Sequence, residues 1–406
     1  MVIIGAGECG ARAAMALREQ GYEGTVTLIG AEKHLPYERP PLSKHAMIGD
    51  DDPLPTTIVT ETALQEKGIA FLGSAEATSI DRNARTVHFA DGRALSYDKL
   101  LLATGSSPRR LPVEGNGGRC VTLRSFEDAL AIRSHLRGKA RVAIIGGGFI
   151  GLEIAASARL LGCDVTVIEA QGRILMRGVP VEIAEIVHAE HVERGVRFLC
   201  GTGITKIEDN ADAPHIHLAS GEAIEADLCV IGIGAVPNTA LAQAAGLTVE
   251  NGIAVNDRLR TSDPHIFAAG DCCSFPLSIY DGRRVRLEAW RNAQEQGALA
   301  AANMLGNDTR HEFVPWFWSD QYDLGIQIAG LSDEGVKTVR RDLGDGAFIL
   351  FHLAEDGRLV AASGIGRGNA VAKDVRLAEM LIARRAHPPI EKLAAADVKL
   401  KALLAA

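Results

Sequence analysis

In this 406-residue chain, glycines and carboxylates at fixed spacing are the residues best placed to do chemistry. Gly146, Gly148 and Gly151 stand between a buried strand-like run (142–145) and an apolar-faced helix reaching about Leu161. A second strand (164–168) then delivers Glu169. Gly146 permits a tight turn, Gly148 lets backbone approach a pyrophosphate, and Gly151 lets helix and strand pack closely. The helix start adds unpaired N–H groups and the positive end of a dipole. At Glu169 a carboxylate can accept both hydroxyls of an adenosine ribose. The same pattern opens the chain, with strand 2–4, Gly5, Gly7, Gly10, an Ala-rich helix, strand 25–29 and an acid at Glu32. A tight β–α turn that binds nothing explains the glycines alone. It does not explain strand, helix, strand and acid together, so two fingerprints imply two dinucleotides on one chain.

The elements that must position these residues also repeat. After the first fingerprint, Asp91-Gly92 marks a turn before the apolar run 99–103, which ends at Thr104-Gly105. After the second, Ser220-Gly221 precedes the run 228–231, which ends at Gly232-Ile233-Gly234. Each copy therefore reads as fingerprint, β-rich middle and buried return strand, an α/β arrangement with parallel sheets. Between the first fingerprint and its return strand lies the proline-stiffened loop 35–44. There Ser43 is expected to cap the following turn, and Lys44 is the available cation. A later apolar strand ends on Gly270-Asp271, a buried charge that needs a partner such as a polyol hydroxyl. A helix is expected from near Asn292. From about Val314 the pattern changes to antiparallel strands, with Trp316 and Trp318 in one tetrapeptide, and then to helices over 370–385 and 390–404.

Composition narrows the field. The net charge of −8 argues against nucleic acid as the main partner. No stretch approaches a membrane span and no signal-like segment opens the chain, so the expected location is the cytoplasm. The seven cysteines include no C-x-x-C, which excludes zinc ribbons and a C-x-x-C redox disulfide, and no metal site is expected. Most of them read as inert core residues, with a functional vicinal disulfide between the adjacent Cys272 and Cys273 as the minor alternative.

With these motifs assembled, the sequence resembles the FAD- and NADH-dependent ferredoxin reductases that serve bacterial Rieske dioxygenases and cytochrome monooxygenases. These enzymes have the glutathione-reductase-like flavoprotein fold. The resemblance runs through GAGECG, PYERPPLSK, ATGSSPR, IIGGGFIGLEIA, IGAVPN, IFAAGDCC, EAWRNAQEQG, VPWFWSDQYD and AKDVRLAEMLI. It implies an α/β fold with two Rossmann-like domains and a C-terminal α+β domain. FAD would take 1–113 and 240–313, NADH 114–239, and the C-terminal domain 314–406. Gly5, Gly7, Gly10 and Glu32 would hold the adenosine diphosphate of FAD. Arg39, Lys44, Thr104, Arg109 and Asp271 would hold its phosphates, ring edge and ribityl chain, with Glu288, Ala289, Trp290 and Trp318 along the flavin ring. Gly146, Gly148, Gly151, Glu153, Glu169 and Gly234 would form the NADH site, and Lys44, Glu153 and Trp318 would be the catalytic residues. The first fingerprint departs from the commoner form in carrying Glu8-Cys9, which places an anion close to the pyrophosphate.

The function so implied is transfer of electrons from NADH through FAD, singly, to a 2Fe-2S ferredoxin that supplies an oxygenase. Rubredoxin reductase, NADH oxidase and apoptosis-inducing-factor-like flavoprotein are the alternatives. An oxidase or peroxidase would want a cysteine facing the flavin, and the position to inspect reads Ser43-Lys44. Three further expectations follow. Glu169 should favour NADH over NADPH, and Lys44 and Glu153 should form an ion pair. An acidic ferredoxin should dock near Trp316 and Trp318, on a basic stretch made by Arg367, Lys373, Arg376, Arg384, Arg385, Lys392, Lys399 and Lys401. Arg291 and Arg310 would extend that stretch.

Overall fold

The computed structural model describes residues 1–49, 53–115, 117–210 and 213–404. Contacts divide the chain into two compact units. One comprises Met1–Glu38, Pro55–Ser107 and Val236–Pro315, and the other Arg39–Leu54, Pro108–Ala235 and Trp316–Ala406.

The first unit is built on a five-stranded parallel sheet, in the order Ile266–Ala268, Leu100–Leu102, Val2–Ile4, Val26–Ile29, Ile69–Leu72. Its strands read as continuous apolar runs because both faces are covered. A three-stranded antiparallel sheet (Ala77–Asp81, Thr86–Phe89, Ala94–Ser96) is the β-rich middle. The fingerprint helix Glu8–Glu19 buries its alanines and Leu17 and packs along the helix Trp290–Met304. Gly297 sets that approach, since a Cβ there would lie 2.4 Å from the Cys9 carbonyl oxygen.

The second unit repeats the plan. Its parallel sheet has the order Cys120–Val121, Leu228–Ile231, Arg141–Ile145, Asp164–Glu169, Arg197–Cys200. In both sheets the fingerprint strand is central, with the return strand on one side and the acid-bearing region on the other. The antiparallel middle is Ile204–Asp209, Pro214–Leu218 and Ala223–Glu225. The same unit contains a five-stranded antiparallel sheet in the order Trp316–Gln321, Leu324–Gly330, Leu359–Arg367, Ala347–Leu353, Lys337–Gly344. One apolar core joins this sheet to the second fingerprint helix and its neighbour, through Leu152, Ile183, Val187, Ile326, Phe348 and Ile365.

Two local expectations need correction. Ser43 closes the 3-10 turn Pro40–Ser43 but caps nothing, and the helix His45–Ile48 that follows has no side-chain cap. The Ser43 hydroxyl is drawn instead to a buried carboxylate, a stronger acceptor than a backbone end. The final helix is also shorter than its apolar pattern suggests. It spans Ile390–Ala394, stops where Ala395 turns extended, and resumes only as a 3-10 turn at Leu400–Leu404.

Candidate functional site

Each fingerprint forms a loop whose shape is explained by what a side chain would strike. In the first unit a Cβ on Gly5 would sit 2.0 Å from the Ala103 carbonyl oxygen, and one on Gly10 would sit 1.8 Å from that of Gly5. In the second unit the matching distances are 2.4 Å for Gly146, to Gly232, and 2.2 Å for Gly151, to Gly146. The middle glycines differ. A Cβ on Gly7, Gly148 or Gly234 would meet nothing within 4 Å. Gly7 and Gly148 face open space at a helix start, where bare backbone fits a pyrophosphate, while Gly234 lies just before the strand Ala235–Pro237. Both fingerprint loops therefore suit dinucleotides.

The acids are held in place. Glu169 accepts the Gly147 N–H and the Gln171 N–H, each at 2.7 Å, so its carboxylate is fixed against the loop while retaining lone pairs for ribose hydroxyls. Glu32 accepts the Tyr37 hydroxyl. Elsewhere in the first unit, the Thr104 hydroxyl donates to the Asn238 carbonyl at 2.7 Å, and the Ser106 hydroxyl donates to Asp271 at 3.2 Å. Glu288 pairs with Arg286, and Ala289 caps the helix whose first residue is Trp290. Glu8 heads the first fingerprint helix, and its Oε1 accepts from Gln294 at 3.5 Å. Burial, followed by the neighbouring Glu38 charge, pushes its carboxyl up to about 7.

Arg39, Lys44, Arg109 and Trp318, expected at FAD, all fall in the second unit. Arg39 donates to the Arg124 carbonyl, and Arg109 is tied by its backbone N–H to Gly234 at 2.8 Å. Lys44 and Glu153 form the expected ion pair, with Nζ to Oε1 at 2.9 Å. Glu153 projects from the helix Phe149–Leu160 and is 4% exposed, while Lys44 stays partly open. Two hydroxyls that sequence reasoning missed complete its shell. Ser43 Oγ donates to Oε2 at 2.5 Å, and Ser319 Oγ donates to Oε1 at 2.6 Å. A charge taken out of water needs such partners. Ser319 stood in the quoted SDQY stretch, but only the fold brings it to Glu153.

Strand alternation explains the rest. On Trp316–Gln321, Trp316 and Trp318 share one face and stack with ring centroids 5.4 Å apart and planes at 24°. Phe317, Ser319 and Gln321 share the other face, where Phe317 meets Phe149 edge-on at 5.0 Å. The basic stretch is less bare than its sequence suggests. Arg367 pairs with Glu190 and Asp323, Arg376 pairs with Glu379, and Arg384 donates to the Leu404 carbonyl. Arg291 and Arg310 pair with Glu295 and Asp257. Lys373, Lys392, Lys399 and Lys401 are exposed.

The cysteines of the described residues are free thiols, Cys272 and Cys273 among them. Burial pushes the Cys9, Cys272 and Cys273 thiols above their usual range, which keeps them protonated and inert. Among the described residues no three metal-type ligands gather, and no helix is long and apolar enough to cross a membrane.

Residues 1–297 match the family model described as pyridine nucleotide-disulphide oxidoreductase, and residues 316–404 match the one described as reductase C-terminal. The chain belongs to the FAD- and NADH-dependent ferredoxin reductases. It is 42% identical over 406 residues to the ferredoxin–NAD(+) reductase component of the anthranilate 1,2-dioxygenase system of Burkholderia cepacia, covering 99% of this chain and 98% of that one. It is also 40% identical over 333 residues to the rubredoxin–NAD(+) reductase of Pseudomonas putida, covering 81% and 86%. The putidaredoxin reductase in a covalent complex with putidaredoxin superposes with a TM-score of 0.92 at 36% identity, over 100% of this chain and 97% of that one. The cofactors of this ferredoxin reductase are accordingly FAD and NADH.

Proposed function

We propose that this reductase passes electrons from NADH through FAD to an acidic 2Fe-2S ferredoxin in the cytoplasm, for use by an oxygenase. FAD, when bound, takes two electrons together and gives them up one at a time, which suits a one-electron carrier. The residue roles proposed from the sequence are retained. The first fingerprint with Glu32, Thr104, Asp271 and the Glu288–Trp290 segment would hold FAD, together with Arg39, Lys44, Arg109 and Trp318. The second fingerprint with Glu153, Glu169 and Gly234 would hold NADH. The proposed domains are 1–113 with 240–313 for FAD, 114–239 for NADH and 314–406 for the C-terminal sheet.

One observation carries the mechanism: the pair between half-buried Lys44 and buried Glu153, whose carboxylate two serine hydroxyls hold in a fixed geometry. Lys44 would present its positive charge to the flavin edge, and Glu153 would keep that charge in place. Preset charge of this kind needs no reorganisation during the reaction. The position that a thiol-based oxidase would fill with cysteine reads Ser43-Lys44 and carries no thiol. That supports a reductase without a nucleophile. The stacked Trp316 and Trp318 would mark the exit toward ferredoxin, with Lys373, Arg384, Arg385, Lys392, Lys399 and Lys401 as the steering charges.

The relative that reduces rubredoxin makes that carrier the second candidate. NADH-driven reduction of a panel of 2Fe-2S ferredoxins and rubredoxins by the flavin-loaded protein decides between them. Preferential turnover of a rubredoxin would overturn the choice of partner.

A further inference from the structure

Behind Ser319 lies a row of polar groups to which the mechanism above gives no task. Gln321 Nε2 donates to Ser319 Oγ at 3.3 Å. His191 Nε2 faces Gln321 Oε1 at 2.8 Å, and the Tyr322 hydroxyl faces His191 Nδ1 at 3.3 Å. Ser319 and His191 are 0% exposed and Gln321 is 1% exposed. The row crosses three elements: the helix Phe149–Leu160 with Glu153, the strand Trp316–Gln321, and the helix Val181–Glu193 with His191.

The protons along this row can be placed from one end. A carboxylate only accepts, so Ser319 must give its single proton to Glu153. The Ser319 oxygen then accepts from the Gln321 amide nitrogen, which leaves the Gln321 oxygen toward His191. His191 Nε2 must therefore carry a proton, and Nδ1 is left bare to accept from Tyr322. Every donor points the same way, toward the charge on Glu153. A chain polarised in one direction strengthens each of its bonds.

The other groups around His191 keep it in this form. Burial, the largest influence, lowers its proton affinity, and the Gln321 contact and the Glu190 charge oppose this in part. His188 and Arg194 lower it further, and the Arg194 guanidinium sits over the Tyr322 ring at 4.3 Å. Tyr322 adds an independent sign. It holds φ at +58°, a conformation that bulky side chains rarely adopt, in the turn between Gln321 and Leu324. Backbone strain of this kind persists where surrounding contacts over-determine it, and here the ring lies against His191 at 5.0 Å.

We propose that His191 is a positioning residue for electron transfer, acting through Gln321 and Ser319 to hold the Glu153 carboxylate, and with it Lys44, in the reactive geometry. The proposal rests on the reading that the Lys44–Glu153 pair serves the flavin. The test uses the flavin-loaded protein with His191→Leu, His191→Gln, Glu153→Gln and the double variant His191→Leu/Glu153→Gln. Glutamine reaches the Nε2 position with a donor and leucine does not.

His191→Leu should slow flavin reduction by NADH about tenfold, the order for one hydrogen bond lost near a charge. It should also shift the flavin midpoint potential in the same direction as Glu153→Gln, at unchanged KM. His191→Gln should restore both, and the double variant should match Glu153→Gln alone. If Glu153→Gln changes rate and potential but His191→Leu does not, or if their effects add, His191 does not act through Glu153 and the proposal fails. If Glu153→Gln itself changes nothing, the reading of the ion pair fails and takes the proposal with it. Should His191→Leu not fold, imidazole ¹⁵N spectra of the unaltered protein decide. A neutral Nε2–H ring at neutral pH is expected, and an Nδ1–H ring or an imidazolium would overturn the proposal.

Discussion

Glu8→Gln should stabilise this reductase in a way that depends on pH. The carboxyl heads the first fingerprint helix, with its Oε2 buried and without a hydrogen-bond partner among the described residues. Burial first and Glu38 second push its proton affinity up to about 7, against the lowering influence of Trp290, Gln294 and Arg12. Because the folded value lies above the unfolded one, stability is fully present below the unfolded value. It is lost as pH rises from about 4.5 to about 7. A shift of that size is worth about 3.4 kcal/mol at full shielding, and partial solvent screening reduces it to ~2 kcal/mol.

Glutamine keeps the shape and removes the charge. Urea unfolding of the flavin-loaded protein, at fixed FAD concentration, should show the variant more stable by ~2 kcal/mol at about pH 8 and equal to its parent at about pH 4. Flavin release, followed by its fluorescence, should slow at the higher pH, since the pyrophosphate no longer meets a carboxylate. A gain that is the same at both pH values, or a loss of stability at the higher one, would refute the assignment of a charge penalty to Glu8.

Other expectations concern catalysis and docking. Glu169→Ala should weaken NADH use by roughly one to two decades and narrow the preference over NADPH, because a charged acceptor contributes about 1.5–3 kcal/mol. Equal efficiency with both coenzymes before mutation would remove Glu169 from that role. Lys44→Met should lower the flavin potential and slow its reduction roughly tenfold while FAD stays bound, since Glu153 keeps its two serine donors. Unchanged potentiometric and stopped-flow traces would exclude the pair from the mechanism. Ferredoxin reduction should slow steeply with salt, because exposed charges are screened beyond about 8 Å at physiological ionic strength, while reduction of a neutral dye should not. Reversing Lys373, Lys392 and Lys399 together should flatten that dependence, and if it does not, the docking face lies elsewhere.

Much of the fold could be read from local patterns. Gly5 and Gly146 open turns that any side chain would close, and apolar runs such as Leu228–Ile231 could only be covered strands. The repeat of fingerprint, antiparallel middle and return strand therefore survived translation into two sheets that each set the fingerprint strand between the return strand and the strand leading to the acid, although their edge strands beside the return strand come from different places in the chain. The Lys44–Glu153 pair was legible because both residues lie in motifs. Its support was not. Ser43 looked like a cap and Ser319 was only one letter of a quoted motif, and a hydroxyl carries no sign of which acceptor it will find. His191 was invisible for a stronger reason: on the buried face of a helix, a histidine matches any satisfied core residue until a neighbouring strand brings Gln321 to it. The short final helix failed for want of contacts, since Ala394–Ala396 has little side chain to bury.

The strand Trp316–Gln321 is a two-sided part. Its odd and even positions serve different neighbours, so substitutions can alter one side while leaving the other intact. An inserted or deleted residue cannot do so. A shift of one position would turn Ser319 and Gln321 outward and the indoles inward, exchanging the support of Glu153 for the aromatic face in a single event. Descendants of this chain can therefore vary one face of the stretch by substitution, but not by a single-residue change of length. The two tasks are inherited together through such events, because a one-residue insertion or deletion cannot release one without dismantling the other.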